Sequence, residues 1–152
     1  MGVFSRLNLK GAKVGNSGGN YFTPGNYLAE VICIKGIERR GGKGVLFVME
    51  TKIVESDSEK HKVGSTANWV QDPSTDWGPG NIKECIIAVS GMDPHGEGVE
   101  DAEDWDAVLD VACDDKNPMA GSKVRVKCIS KLKKNAEDVP SNRRDICSFM
   151  PA

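Results

Sequence analysis

Apolar positions along this chain fall in short runs whose period is two, then about three and a half, then two again. From Tyr27 to Ile37 (YLAEVICIKGI) the residues are mostly apolar and β-branched. Leu28, Glu30, Ile32 and Ile34 form one alternating set, and Tyr27, Ala29, Val31 and Cys33 form the other. So little charge inside an apolar run predicts a strand covered on much of both faces. Glycines at 41, 42 and 44 then join this run to VLFVMETKIVE (Val45–Glu55), which predicts a hairpin. The second strand sets Val45, Phe47, Met49, Thr51 and Ile53 on one face, with Phe47 assigned to the core. Leu46, Val48, Glu50, Lys52 and Val54 take the other face. A third strand is expected within HKVGSTANWVQD (His61–Asp72), with Gly64 marking a bulge.

The period then lengthens. Ile82, Cys85, Ile86 and Val89 stand at i, i+3, i+4 and i+7, which predicts an amphipathic helix with Asn81 or the Pro79-Gly80 pair near its start and Gly91 at its end. Trp105, Val108, Leu109 and Ala112 repeat that spacing and predict a second short helix with an acidic outer face. Alternation returns after Gly121, where Val124, Val126 and Cys128 oppose Arg125, Lys127 and Ile129. RRDICSFMPA supplies a fifth strand. The chain is therefore mainly β with one or two short helices. Five strands with a helix between the third and fourth is the order of a five-stranded OB-fold-type barrel. Closure would also remove the exposed edges that a small sheet must otherwise protect. The alternative is an open antiparallel sheet packed on two helices. Residues 1–24, rich in Gly, Asn and Ser, are expected to form a flexible basic arm, and residues 25–152 the domain proper.

Composition narrows the classes. A chain of 152 residues suits one domain. No apolar run reaches the ~20 residues that a membrane span needs, and the first residues lack the apolar stretch of a secretory signal. A cytoplasmic protein with no membrane association is expected. The five cysteines (Cys33, Cys85, Cys113, Cys128 and Cys147) include no C-x2-C pair, and neither His61 nor His95 has a cysteine at ligand spacing. Free, mostly buried thiols are expected, with no metal and no cofactor.

Charge changes the picture most. The net charge is -2, but Glu84 to Asp115 holds 11 acids and no Lys or Arg, leaving 11 acids against all 20 bases elsewhere, a balance of +9. A basic remainder of this kind can offer a positive face to phosphate. Lys123, Arg125 and Lys127 recur every second residue, so in a strand they share one face roughly 6–7 Å apart. A merely solvated face usually mixes signs, and this one does not. Arg39, Arg40 and Lys43 surround the hairpin glycines, where a backbone without side chains can approach a phosphate closely. Lys52, Lys62 and Arg143 add to the set, and Lys131, Lys133, Lys134 and Arg144 extend it. Among the aromatics Tyr21, Phe22, Tyr27, Phe47, Trp69 and Trp77, the two tryptophans are the candidates for stacking on bases.

Catalytic motifs are not evident. There is no G-x-S-x-G, and neither histidine lies in a nucleophile–base pattern. Gly41-Gly42-Lys43-Gly44 is not a Walker loop, because glycine follows the lysine and a strand follows the loop. Asp93, His95 and Glu97 make only a weak metal cluster, so an enzyme, such as a metal-dependent nuclease using them, is a lesser reading.

Certain residues together resemble a known family. They are P-G-N-Y at the first strand, the Gly/Lys hairpin into a long second strand and the Trp of the third. Asn81-Ile82-Lys83 at a helix start and the late G-S-K-V-R-V-K strand complete the set. The pattern, over Pro24 to Pro151, resembles phage-encoded single-stranded-DNA-binding proteins with an OB fold. That resemblance implies non-catalytic binding and protection of single-stranded DNA during replication or recombination, in the host-cell cytoplasm, with a homo-oligomer as a possible state. Many such proteins end in an acidic tail that recruits partners, whereas this chain ends in SFMPA. Its internal acidic segment 93–115 is the expected substitute for contact with replication or recombination proteins. A phage structural or assembly protein is the alternative function.

Overall fold

The computed structural model describes residues 21–39, 44–96 and 105–152. Five strands form one antiparallel sheet: β1 (Gly25–Glu38), β2 (Val45–Ser56), β3 (Thr66–Gln71), β4 (Lys123–Leu132) and β5 (Arg143–Pro151). Two helices, α1 (Gly78–Val89) and α2 (Trp105–Ala112), lie between β3 and β4 in the chain. The order across the sheet is β3-β2-β1-β4-β5. β3 and β5 are thus its two edges, and the closure suggested by the element order is not made by hydrogen bonds. Each pairing is antiparallel, so β3 and β5 run in the same direction.

The alternation in β4 and β2 follows the sequence pattern. Val124, Val126 and Cys128 are buried while Lys123, Arg125 and Lys127 are exposed. Phe47, Met49, Thr51 and Ile53 are buried, although Val45 is exposed at the hairpin end. β1 departs from simple alternation. Val31 pairs with Thr51 and Cys33 with Glu50, so Ile32 is an extra residue in the ladder. This bulge reverses the phase: Tyr27, Ala29 and Val31 point into the core before it, and Ile34 after it. Ile32, placed by alternation with Ile34, is instead exposed.

The helix spacing matches the burial. Ile82, Cys85, Ile86 and Val89 of α1 are all buried, each side chain worth roughly 1.5–3 kcal/mol on full burial for the larger ones. The helix starts at Gly78, beside the Pro79-Gly80 pair rather than at Asn81, with Pro79 in its first turn, where the missing N–H costs nothing. α1 packs mainly on β5 and also touches β4 and β3, so it meets both edge strands. Trp105, Val108 and Leu109 of α2 pack, half-buried, on the same core.

Two contacts fix the ends of β1. Asn117, in a left-handed conformation, accepts a hydrogen bond from the Ile34 N–H at 2.7 Å and donates to the Ile34 carbonyl at 2.9 Å. Its side chain thereby takes the place of a strand residue beyond β4. At the other end, Tyr21 forms a parallel bridge with Asn68, and Phe22 is buried. Residues 1–20 of the expected arm lie outside the described residues. No helix among the described residues is long and apolar enough to cross a membrane.

Candidate functional site

The gap between the two edge strands is a groove of about 590 Å³. Its floor is the core itself. Trp69 is only 8% exposed and packs edge-on against Phe149 of the opposite edge, with ring centroids 4.7 Å apart. Phe47 holds the other side of Trp69 at 5.7 Å. The polar wall holds Asn68, Gln71 and Asn81, whose amides are partly committed. Asn81 donates to the Gln71 side-chain oxygen at 3.2 Å, and Gln71 donates to the Asp72 carbonyl at 3.0 Å.

The rim carries Trp77, and the local sequence explains why it faces out. Asp72 accepts hydrogen bonds from the backbone N–H and hydroxyl of Ser74 at 2.8 and 2.7 Å, and Thr75 donates to the Asp72 carbonyl at 3.0 Å. The two Ser74 bonds, and secondarily Arg39, hold the Asp72 carboxyl below its usual range. The turn is tight enough that a Cβ on Gly78 would fall 2.2 Å from the Asp72 oxygen, so glycine is required there. Trp77 is left between this turn and the first residue of α1 with 51% of its surface exposed. The guanidinium of Arg144 lies 4.8 Å from its ring centroid, a cation–π contact worth about 0.5–1 kcal/mol at an exposed site. Tyr21, also exposed, stands on the groove wall.

Arg144 joins this groove to the outer face of the sheet. In the ladder it stands opposite Lys131 of β4, and the same face continues through Lys127, Arg125 and Lys123. Arg125 has a long contact of 3.9 Å to Glu55. Lys123, Lys127 and Lys131 have no carboxylate partner among the described residues. The β1–β2 half of the sheet is different, since there Lys35 and Glu50 form an ion pair at 2.7 Å. Burial pushes the Glu50 carboxyl up, but hydrogen bonds from Lys35 and Cys33 together outweigh it and leave its pKa lowered.

The remaining candidates are scattered. Arg39 is tied to Asp72 at 2.9 Å, and Arg40 and Lys43 lie outside the described residues. Lys52 is exposed on β2. Lys62 lies in the turn before β3 rather than on a strand, because β3 starts only at Thr66. Gly64 belongs to that turn, at φ +91°, and is not a bulge. Arg143 is held by Asp138 through two bonds of 2.7 and 3.0 Å, so its neighbour Arg144 is the one that reaches the groove. The sequence pattern put Arg143 in the binding set and Arg144 only in its extension, whereas the structure sets Arg144, not Arg143, at the groove. The pattern named Tyr21 only as one aromatic among six.

Of the weak metal cluster, Asp93 accepts the His95 backbone N–H at 2.9 Å, and His95 is largely exposed 3.4 Å from Glu84. Glu97 lies outside the described residues. Among the described residues no three His, Cys, Asp or Glu side chains are grouped to hold a metal ion. All five cysteines are free. Comparison with protein-family models and with curated proteins finds no match to this chain.

Proposed function

We propose that the protein binds single-stranded nucleic acid, DNA in the first instance, and catalyses no reaction. One observation carries the proposal: the exposed Trp77–Arg144 pair stands at the head of a row of exposed cations, of which Lys123, Lys127 and Lys131 have no carboxylate partner among the described residues. Single-strand binding needs cations to follow the phosphates and a flat ring on which a base can stack. Lys123, Arg125 and Lys127 alternate along β4, which spaces them roughly 6–7 Å apart, near the spacing of successive phosphates on an extended strand, and Lys131 follows on the same face beyond Ile129. The strand order β3-β2-β1-β4-β5, with both edges running the same way, supports an OB-type barrel left unclosed at the β3–β5 seam. On this reading the chain belongs with phage-encoded single-stranded-DNA-binding proteins. It protects single strands during replication or recombination in the host cytoplasm.

The test is a titration of tryptophan emission with oligo-dT at low and then raised salt. Trp77 is the most exposed tryptophan among the described residues, so stacking on it should quench emission. Salt should reverse the quench, with log K falling by about 0.7 per phosphate neutralised for each decade of salt. No change with oligo-dT, oligo-dA or a matched RNA would reject the proposal.

A further inference from the structure

A second groove, of about 610 Å³, lies between the base of the β1–β2 hairpin and α2. Phe47, Ile82 and Leu109 supply apolar lining, and Asp106, Asp110 and Asp114 stand around it. No lysine, arginine or histidine is among the described residues that line it. Asp106 and Asp110 are exposed, one helical turn apart, and have no cationic partner among the described residues.

Helix stability accounts for Asp106, in the first turn of α2 where the dipole favours an acid, but not for Asp110. Like charges four residues apart repel each other. Asp110 is in the last turn of α2, where the helix dipole favours a cation, and no basic residue is there. The volume falls in the range that holds one or two large side chains. A phosphate chain would be repelled by the carboxylates. An apolar floor beside uncompensated negative charge matches a ligand with the opposite charge and an apolar anchor.

We infer that this groove docks a basic peptide segment of another protein, one that inserts a large apolar side chain and sets lysine or arginine against Asp106 and Asp110. The inference is independent of the nucleic-acid reading, because it uses a different groove of opposite charge.

The experiment uses the full chain and a fluorescein-labelled peptide of sequence KKFKKLKK, read by anisotropy. Two control peptides replace either the lysines with glutamate or the Phe and Leu with serine. The lysine–Phe–Leu peptide should bind, and both controls should bind at least tenfold more weakly. The variant Asp106→Lys/Asp110→Lys should lose at least tenfold in affinity for the peptide. Both positions are exposed, so the variant should keep its thermal melt, and a melt confirms that it is folded. In a separate titration without peptide, oligo-dT should bind the variant no more weakly than the parent. Equal binding of the serine peptide would reduce the effect to general charge attraction and overturn the inference. Full affinity in the folded variant would overturn it as well. Failure of oligo-dT to bind the parent chain would instead reject the nucleic-acid proposal and leave the peptide result standing.

Discussion

The seam groove and the α2 groove are nearly the same size, about 590 and 610 Å³, yet their chemistry is opposite. The first has Trp77 and Tyr21 along it, an arginine on the tryptophan and a run of exposed cations leading away from it. The second has an apolar floor and carboxylates. Size therefore says little about what either holds, and the sign of the charge and the presence of a stacking ring say more. Both grooves share one core. Phe47 lines the α2 groove and also packs on Trp69, which floors the seam.

The largest expected effect separates the floor of the seam from its rim. Trp69→Ala should remove about 3–5 kcal/mol of stability, because it empties a core position between Phe47 and Phe149. Trp77→Ala should cost under about 1 kcal/mol, since it loses an exposed ring and one cation–π contact. The same Trp77→Ala change should weaken oligo-dT binding by about 1–3 kcal/mol, the worth of one stacked base. Urea unfolding and anisotropy titration measure the two quantities separately. A Trp77→Ala protein as unstable as Trp69→Ala would mean that the rim is structural, and the contrast between the grooves would lose its aromatic half.

Charge comes next. Lys123→Glu/Lys127→Glu should weaken oligo-dT binding at least tenfold, and its salt dependence should fall by about 1.4 in log–log slope, roughly 0.7 for each of two lost phosphate contacts. Asp106→Lys/Asp110→Lys, on the other groove, should leave that binding unchanged or tighten it. Equal losses in both variants would show that oligo-dT responds to overall charge rather than to the β4 face.

Much of this arrangement is legible in the sequence where one face of an element is buried and the other wet. The i, i+3, i+4, i+7 set of α1 and the Val/Lys alternation of β4 are of that kind, and the structure buries the residues the spacing selects. Reading fails where the period breaks. The bulge at Ile32 changes the phase of β1, and nothing in YLAEVICIKGI marks it, because residues on both sides are apolar. It also fails where register decides. Arg143 and Arg144 are chemically the same, and only the pairing of β5 with β4, together with the carboxylate of Asp138, sends one away from the groove and the other to it. Trp69 and Trp77 look alike in the chain as well. One sits on an edge strand whose inner side is core. The other sits after a turn closed by Asp72, Ser74 and Thr75, a contact pattern invisible before folding. Closure is the last unreadable feature, since it depends on whether two edges far apart in sequence meet.

The smallest effect probes the sign of each groove with a thiol already present in its lining. Cys113 lies in the α2 groove, and burial, then the Asp110 carboxylate, push its thiol up to about 11. A negative neighbour disfavours thiolate, so alkylation by iodoacetamide should be slow at pH 8 and rise about tenfold per pH unit until about pH 11. Asp110→Asn removes the second cause and leaves the first. The Cys113 pKa should then fall modestly, and its alkylation at pH 9 should speed up by a factor of roughly two to five. Cys147, in the seam groove, is raised instead by its hydrogen bond with Cys128 and by burial, and should not respond to Asp110→Asn. Mass spectrometry of the labelled peptides resolves the two sites in one sample. An unchanged Cys113 rate would mean that solvent screens Asp110 at the thiol, and the field available to a basic peptide in that groove would be correspondingly weak. A matching acceleration at Cys147 would point to loosening of the whole core, and the thiols would then report stability rather than the charge of either groove.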